Sequence, residues 1–149
     1  MKTTYEWVPI LWAALSLALT ACGDDAGGGA ADDAGGSNGE IEVAGTYDSD
    51  FGAETIDSTM WNGSDVVDFD NDDNWAVTQN ADDADFDPGK FNKVVWTEPA
   101  EDGAFHYCTV DFGLGTADEA VDTELTADDT DPESGGCGGF PWTLLTPAE

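Results

Sequence analysis

From Ile41 onward, short apolar runs are cut again and again by turn residues, a punctuation that suits strands and leaves little room for helices. Val43, Gly45, Tyr47, Ser49 and Phe51 alternate with Ala44, Thr46, Asp48 and Asp50, the period of two expected where successive side chains point to opposite faces. Residues 55–61 make a second run, and Asn62-Gly63 after it is a two-residue hairpin signal. Residues 65–70 set Val67 and Phe69 on one face and Asp68 and Asp70 on the other. A polar turn at 71–74 leads into the run 75–79, and these four runs read as a meander.

Residues 91–97 and 104–112 are apolar on both faces, so each strand should be covered on both sides. Asp87-Pro88-Gly89-Lys90 before the first has the chemistry of a type II turn. Thr116-Ala117-Asp118-Glu119 matches a capping box, in which hydroxyl and carboxylate satisfy free backbone amides reciprocally. It predicts a short helix over residues 116–126, with Ala117, Ala120, Val121 and Leu125 as the apolar stripe. Residues 140–145 read as a closing strand at an edge, because Pro141 lacks an amide donor. The expected fold is mostly β, an antiparallel meander forming a small barrel or a two-layer sandwich. Gly45-Thr46-Tyr47 resembles the opening of lipocalin-like barrels, with Tyr where those usually carry Trp.

The charge narrows the partners. There are 33 Asp and Glu against 3 Lys and Arg, a formal net charge of −30. Such a surface has no cations with which to displace phosphate counterions, which excludes nucleic acid. Self-repulsion should make stability depend on screening salt or bound cations. The 6 Trp and 7 Phe still supply a packed core, so the chain from Ile41 is not a disordered acidic tail.

Residues 1–21 have the layout of an export signal: Lys2 at the start, an apolar stretch from Val8 to Leu19, then small residues. That stretch of about 12 residues is short of the roughly 20 that a permanent membrane helix needs. Leu19-Thr20-Ala21-Cys22 resembles the lipobox of bacterial lipoproteins in all four positions. The resemblance implies cleavage before Cys22, lipid on that cysteine, and anchoring to a membrane through the acyl chains. Cleavage would remove one acid, Glu6, and one base, Lys2, so the net charge stays at −30. Residues 22–40 carry no large apolar side chain before their end and read as a flexible acidic spacer. Residues 41–149 are then a single β-rich domain, lipid-anchored in the cell envelope and facing the periplasm or the exterior.

With Cys22 assigned to the lipid, Cys108 and Cys137 form one even pair, which in an oxidising compartment reads as a disulfide. Closing a loop of about 30 residues should stabilise by roughly 3–4 kcal/mol in the chain-entropy model. His106 shares a strand face with Cys108, but the disulfide removes the thiol from any catalytic or metal-binding role. Asp68, Asp70 and Asp72, with Asp73, Asn71 and Asn74, are the nearest approach to a calcium loop. Asp73 stands where an EF-hand needs Gly, and Gln79 where it needs Glu. Two further acidic groups, at 82–87 and 128–131, are just as rich, so no single loop stands out. Trp61, Trp75, Trp96 and Trp142 could stack on sugars, but tryptophans on apolar strand faces more often form core.

No catalytic constellation, phosphate loop or cofactor motif stands out. The expected function is a non-enzymatic binding or structural module displayed on the envelope, with an unidentified envelope or extracellular ligand. The alternative is a calcium-dependent adhesion or glycan-binding module, and a small carboxylate-dependent hydrolase comes third.

Overall fold

The computed structural model describes residues 39–149; the export signal, Cys22 and nearly all of the acidic spacer lie outside the described residues. Eight antiparallel strands follow one another around a closed barrel: β1 Gly45–Ser49, β2 Gly52–Asp57, β3 Met60–Trp61, β4 Ser64–Asp70, β5 Trp75–Gln79, β6 Phe91–Trp96, β7 Phe105–Leu114 and β8 Thr143–Pro147. One short helix, α1 Ala117–Asp122, lies between β7 and β8. Of the two expected architectures, the barrel is the one adopted.

Turn chemistry explains where the strands break. The expected run at 55–61 is two strands, because Oδ1 of Asp57 accepts hydrogen bonds from the Thr59 amide (2.7 Å), the Thr59 hydroxyl (2.6 Å) and the Met60 amide (2.9 Å). These bonds stabilise the carboxylate, the Thr59 hydroxyl most, and hold its pKa below the ordinary value. Asn62 (φ 46°) and Gly63 (φ 91°) then form the expected hairpin turn. Lys90 N donates to Asp87 O at 3.1 Å and Gly89 has φ 68°, so the Pro-Gly turn also forms where expected.

Three expectations need correction. Val67 does not share a face with Phe69: Val66 pairs with Thr78 and Asp68 with Val77, so Val67 is an inserted residue turned outward. Val66 and Phe69 take the inward positions instead. The helix ends at Asp122 rather than 126, because Thr123 leaves the helical conformation and its hydroxyl donates to Asp111 Oδ2 at 2.8 Å. Leu125 is consequently exposed instead of lying on the helix stripe. Finally, β8 starts at Thr143 and is no edge; it closes the barrel against both β7 and β1, with Pro141 left outside the strand.

The interior cluster includes Ile41, Val43, Tyr47, Ile56, Trp61, Phe69, Val94, Trp96, Phe105 and Leu145. Val77, Cys108, Ala120 and Trp142 are buried but stand apart from it. They mark a second layer, where α1 packs over the outer faces of β5, β6 and β7. That cover is why β6 and β7 are apolar on both faces. Thr116 caps α1 by accepting from the Glu119 amide at 3.2 Å. Glu119 reaches back to the Gly115 amide at 2.8 Å, one residue earlier than a standard box. No basic residue lies in the last helical turn, and Lys93 of β6 supplies the charge instead, donating to Val121 O at 3.0 Å. The same ammonium lies 5.3 Å from the Trp75 ring centre.

Cys108 and Cys137 form the expected disulfide, with Cα atoms 5.6 Å apart. It ties β7 to a tight turn in which Cys137 and Phe140 exchange backbone hydrogen bonds across Gly138 (φ 59°) and Gly139 (φ 98°). Gly136 is required for a different reason, since a Cβ there would overlap the carbonyl oxygen of Asp128.

Candidate functional site at the open end of the barrel

The two ends of the barrel are built from different residues. At one end the chain enters through Ile41 and Val43, both almost wholly buried. Ile41 N donates to Ser58 Oγ (2.9 Å) and Glu42 N to Asn71 Oδ1 (3.1 Å), which pins this segment to the β2–β3 and β4–β5 turns. Trp96 Nε1 donates to Glu42 Oε1 at 2.6 Å, and the Tyr47 hydroxyl donates to Val43 O at 3.1 Å. Tyr47 also folds over Gly45, where a Cβ would meet its ring at 3.0 Å, and stands edge-on to Phe105 at 5.1 Å. This end is plugged.

Towards the other end, the inward-facing positions turn polar strand by strand. Tyr47 gives way to Ser49 on β1, Ile56 to Glu54 on β2, Phe69 and Val66 to Ser64 on β4, and Ala76 to Thr78 on β5. Trp96 and Val94 give way to Asn92 on β6, Phe105 and Tyr107 to Thr109 on β7, and Leu145 to Thr143 on β8. Apolar positions pack the plugged half, and hydroxyls and amides line the rest. Asn92 Nδ2 donates to Asn80 Oδ1 (2.9 Å) and to Thr78 Oγ1 (3.4 Å), and Asn92 Oδ1 accepts from Gly113 N (3.3 Å). Asn80 Nδ2 reaches the carbonyls of Phe86 (3.3 Å) and Asp87 (3.0 Å), tying the β5–β6 loop to this wall.

Two hollows open at this end. The mouth cavity, about 430 Å³, is lined by Trp61, Ser64, Thr78, Asn80, Asn92, Val94, Tyr107 and Thr109, with Phe86 and Phe112 at its rim. A side cavity of about 660 Å³ lies between β7, the β1–β2 turn and the approach to β8, walled in part by the disulfide. It exists because β8 pairs with β7 only from Phe105 to Tyr107, so the wall beyond Tyr107 has no eighth strand. Tyr107 and Thr109 line both hollows. Both volumes lie in the range of small-molecule sites, and barrel mouths are a common place for them. Four phenylalanines stand exposed at this end: Phe51 (84%), Phe86 (69%), Phe112 (61%) and Phe140 (73%).

Behind Tyr107 lies Glu54, only 3% exposed. Its Oε1 accepts from Ser49 Oγ at 3.0 Å and from the Tyr107 hydroxyl at 3.3 Å, while Oε2 has no partner among the described residues. Burial first, and the Glu54 charge second, push the Tyr107 phenol up to about 12. Trp61 packs against both Trp96 (5.8 Å) and Tyr107 (5.5 Å), and its buried Nε1 also lacks a partner among the described residues.

Of the residues singled out from sequence, Trp61 lines the mouth, Trp142, His106 and the disulfide line the side cavity, and the acidic candidates Asp68, Asp70 and Asp72 lie elsewhere. Asp70 caps the β4–β5 turn at the plugged end by accepting from the Asp72 (2.8 Å) and Asp73 (3.3 Å) amides, and Asp68 accepts from the Phe69 amide (2.9 Å). Among the described residues no three His, Cys, Asp or Glu side chains converge as ligands for a metal, so Asp68, Asp70 and Asp72 do not form a built site. Trp61, Trp96 and Trp142 are buried, as expected of core tryptophans, whereas Trp75 is only half-buried and carries the Lys93 ammonium over its ring. His106 lines the side cavity next to the disulfide. Glu54, Asn80, Asn92 and Tyr107 went unnoticed in the sequence; the available signal was polar side chains at inward parity, as with Asn92 inside an otherwise apolar strand. No protein-family model matches the chain, and no curated protein or solved structure is significantly similar to it.

Proposed function

We propose that this chain is an exported, lipid-anchored, non-enzymatic binding protein whose ligand enters the open end of the barrel. The observation that carries the reading is the change of inward residues from apolar to polar along seven strands, ending in a mouth walled by Ser64, Thr78, Asn80 and Asn92. A barrel built only for stability gains nothing by lining one half with amides and hydroxyls, since buried polar groups add little net stability even when paired. The anchor rests on the lipobox-like Leu19-Thr20-Ala21-Cys22. A tether from Cys22 would join the barrel at the plugged end, beside Ile41.

Both halves of the proposal are testable. Cys22→Ser in the full-length precursor should move the protein from the membrane fraction to the soluble exported fraction and abolish incorporation of labelled fatty acid. Retention with unchanged labelling would refute the anchor. For the mouth, Nile red serves as a neutral ring-shaped probe. It should bind saturably at one site, and Ser64→Trp should abolish that binding with the melting temperature held within a few degrees. Binding unaffected by Ser64→Trp, or no saturable binding, would refute the mouth as the ligand site.

A further inference from the structure

The mouth is uncharged in a chain that is charged almost everywhere else. The protein carries 33 acids, yet no Asp, Glu or Lys is among the residues that line this cavity. Strand parity is the cause. Ser64 and Asn92 take inward positions, and their neighbours Asp65 and Lys93 fall on the outer face, where Asp65 is exposed and Lys93 reaches α1. What remains at the mouth is surface of two kinds. Phe86 and Phe112 offer exposed rings at the rim, and Tyr107 adds a half-buried ring within. Beside them stand neutral hydrogen-bonding groups with capacity to spare. The side chains of Asn62 and Thr109 have no hydrogen-bond partner among the described residues, and the Ser64 hydroxyl makes only a long contact with Asn80 Oδ1 at 3.4 Å.

Such a lining selects by exclusion. A carboxylate or phosphate would enter with no cation to pair it, and against the field of a chain at −30. A cation would find no carboxylate in the lining to hold it. A wholly apolar ligand would strip water from the amide and hydroxyls and return no hydrogen bond. A ring with an apolar C–H face and a rim of hydroxyls satisfies both kinds of surface at once. From this uncharged, aromatic-rimmed lining we propose that the ligand of the mouth is a neutral saccharide. Its C–H face lies on the rings of Phe86 and Phe112, and its hydroxyls bond to Asn62, Ser64 and Thr109. The cavity, about 430 Å³, is of small-molecule size. This inference rests on the reading of the mouth as the ligand site and adds the chemical class of the ligand.

The probes are neutral disaccharides (cellobiose, maltose, lactose and the N-acetylglucosamine dimer), titrated by calorimetry against the disulfide-intact protein, with displacement of Nile red as a second readout. At least one should bind saturably at one site, displace Nile red, and lose its binding in Ser64→Trp. The uronic acid counterpart of that disaccharide should not bind, because its carboxylate would enter unpaired. Phe86→Ser combined with Phe112→Ser changes only exposed side chains and should weaken the saccharide severalfold. Thr109→Val keeps the side-chain shape but removes the hydroxyl, and should weaken the saccharide while leaving Nile red unchanged. Binding that survives Ser64→Trp or fails to displace Nile red would overturn the proposal, since the sugar would then sit elsewhere. Equal binding of the uronic acid would overturn it too. If no disaccharide binds while Nile red still binds and responds to Ser64→Trp, the saccharide is refuted and the mouth reading survives alone. If Nile red fails as well, both fall together.

Discussion

The plugged and open ends of this barrel use the same kinds of residue for opposite purposes. Phe105, at the plugged end, is 2% exposed and sits edge-on to Tyr47, whereas Phe112, on the same strand at the open end, is 61% exposed. Glu42 at the plugged end has its carboxylate taken up by Trp96 Nε1, whereas Glu54 towards the open end keeps one oxygen without a partner among the described residues. One end is satisfied and packed. The other carries exposed aromatics and, among the described residues, unmatched polar groups, which suit the proposed binding end. The comparison separates the residues that hold the fold from those available for recognition, although both sets come from the same eight strands.

That division makes quantitative predictions. Phe105→Ala should cost about 3–5 kcal/mol in denaturant unfolding, because it opens a cavity in the packed end. A loss well under 1 kcal/mol would mean that the plugged end is not the stability centre. Next comes the covalent tie at the side cavity. Cys137→Ser should lose roughly 3–4 kcal/mol by the chain-entropy argument, since residues 108 and 137 are 29 apart in sequence.

Alkaline stability tests the buried contact between Tyr107 and Glu54. In the folded state the Tyr107 phenol is pushed up to about 12 from an ordinary 10.0, so between those pH values only the native state retains this proton. Its contribution is complete below pH 10 and is lost as pH rises towards 12. Unfolding free energy followed across that window should fall, and Tyr107→Phe should flatten the fall; an unchanged slope would mean that burial and Glu54 do not hold the Tyr107 phenol up. The smallest expected effect is at the rim, where Phe112→Ala should change stability by no more than about 0.5 kcal/mol. A loss comparable with that of Phe105→Ala would erase the difference between the ends.

Much of the fold was legible because its signals are local. Asn62-Gly63, the Pro88-Gly89 turn, the Thr116 cap and the even cysteine pair each act through neighbouring residues or simple counting, and all four appear in the structure. Errors arose where a local pattern was overruled. The bulge at Val67 breaks an alternation that looked regular, and the three hydrogen bonds to Asp57 Oδ1 split a run that looked continuous. The candidate site was scarcely legible at all. With 33 acids in the chain, nothing local distinguishes Glu54 from the rest.

By itself, the sequence determined the strand-rich class, the main turn positions, the start of the helix, the disulfide and the extreme charge, because each depends on residue type and near spacing. Only the tertiary structure decided between barrel and sandwich, chose which end is plugged, and gathered the polar inward positions at the other. It alone brought Glu54 to Tyr107 across 53 residues of chain. The physical reason is that a strand pattern specifies which side chains share a face. Which of them meet in the interior, and which of those lack a partner, depends on closing the sheet, and closure is a property of all eight strands together.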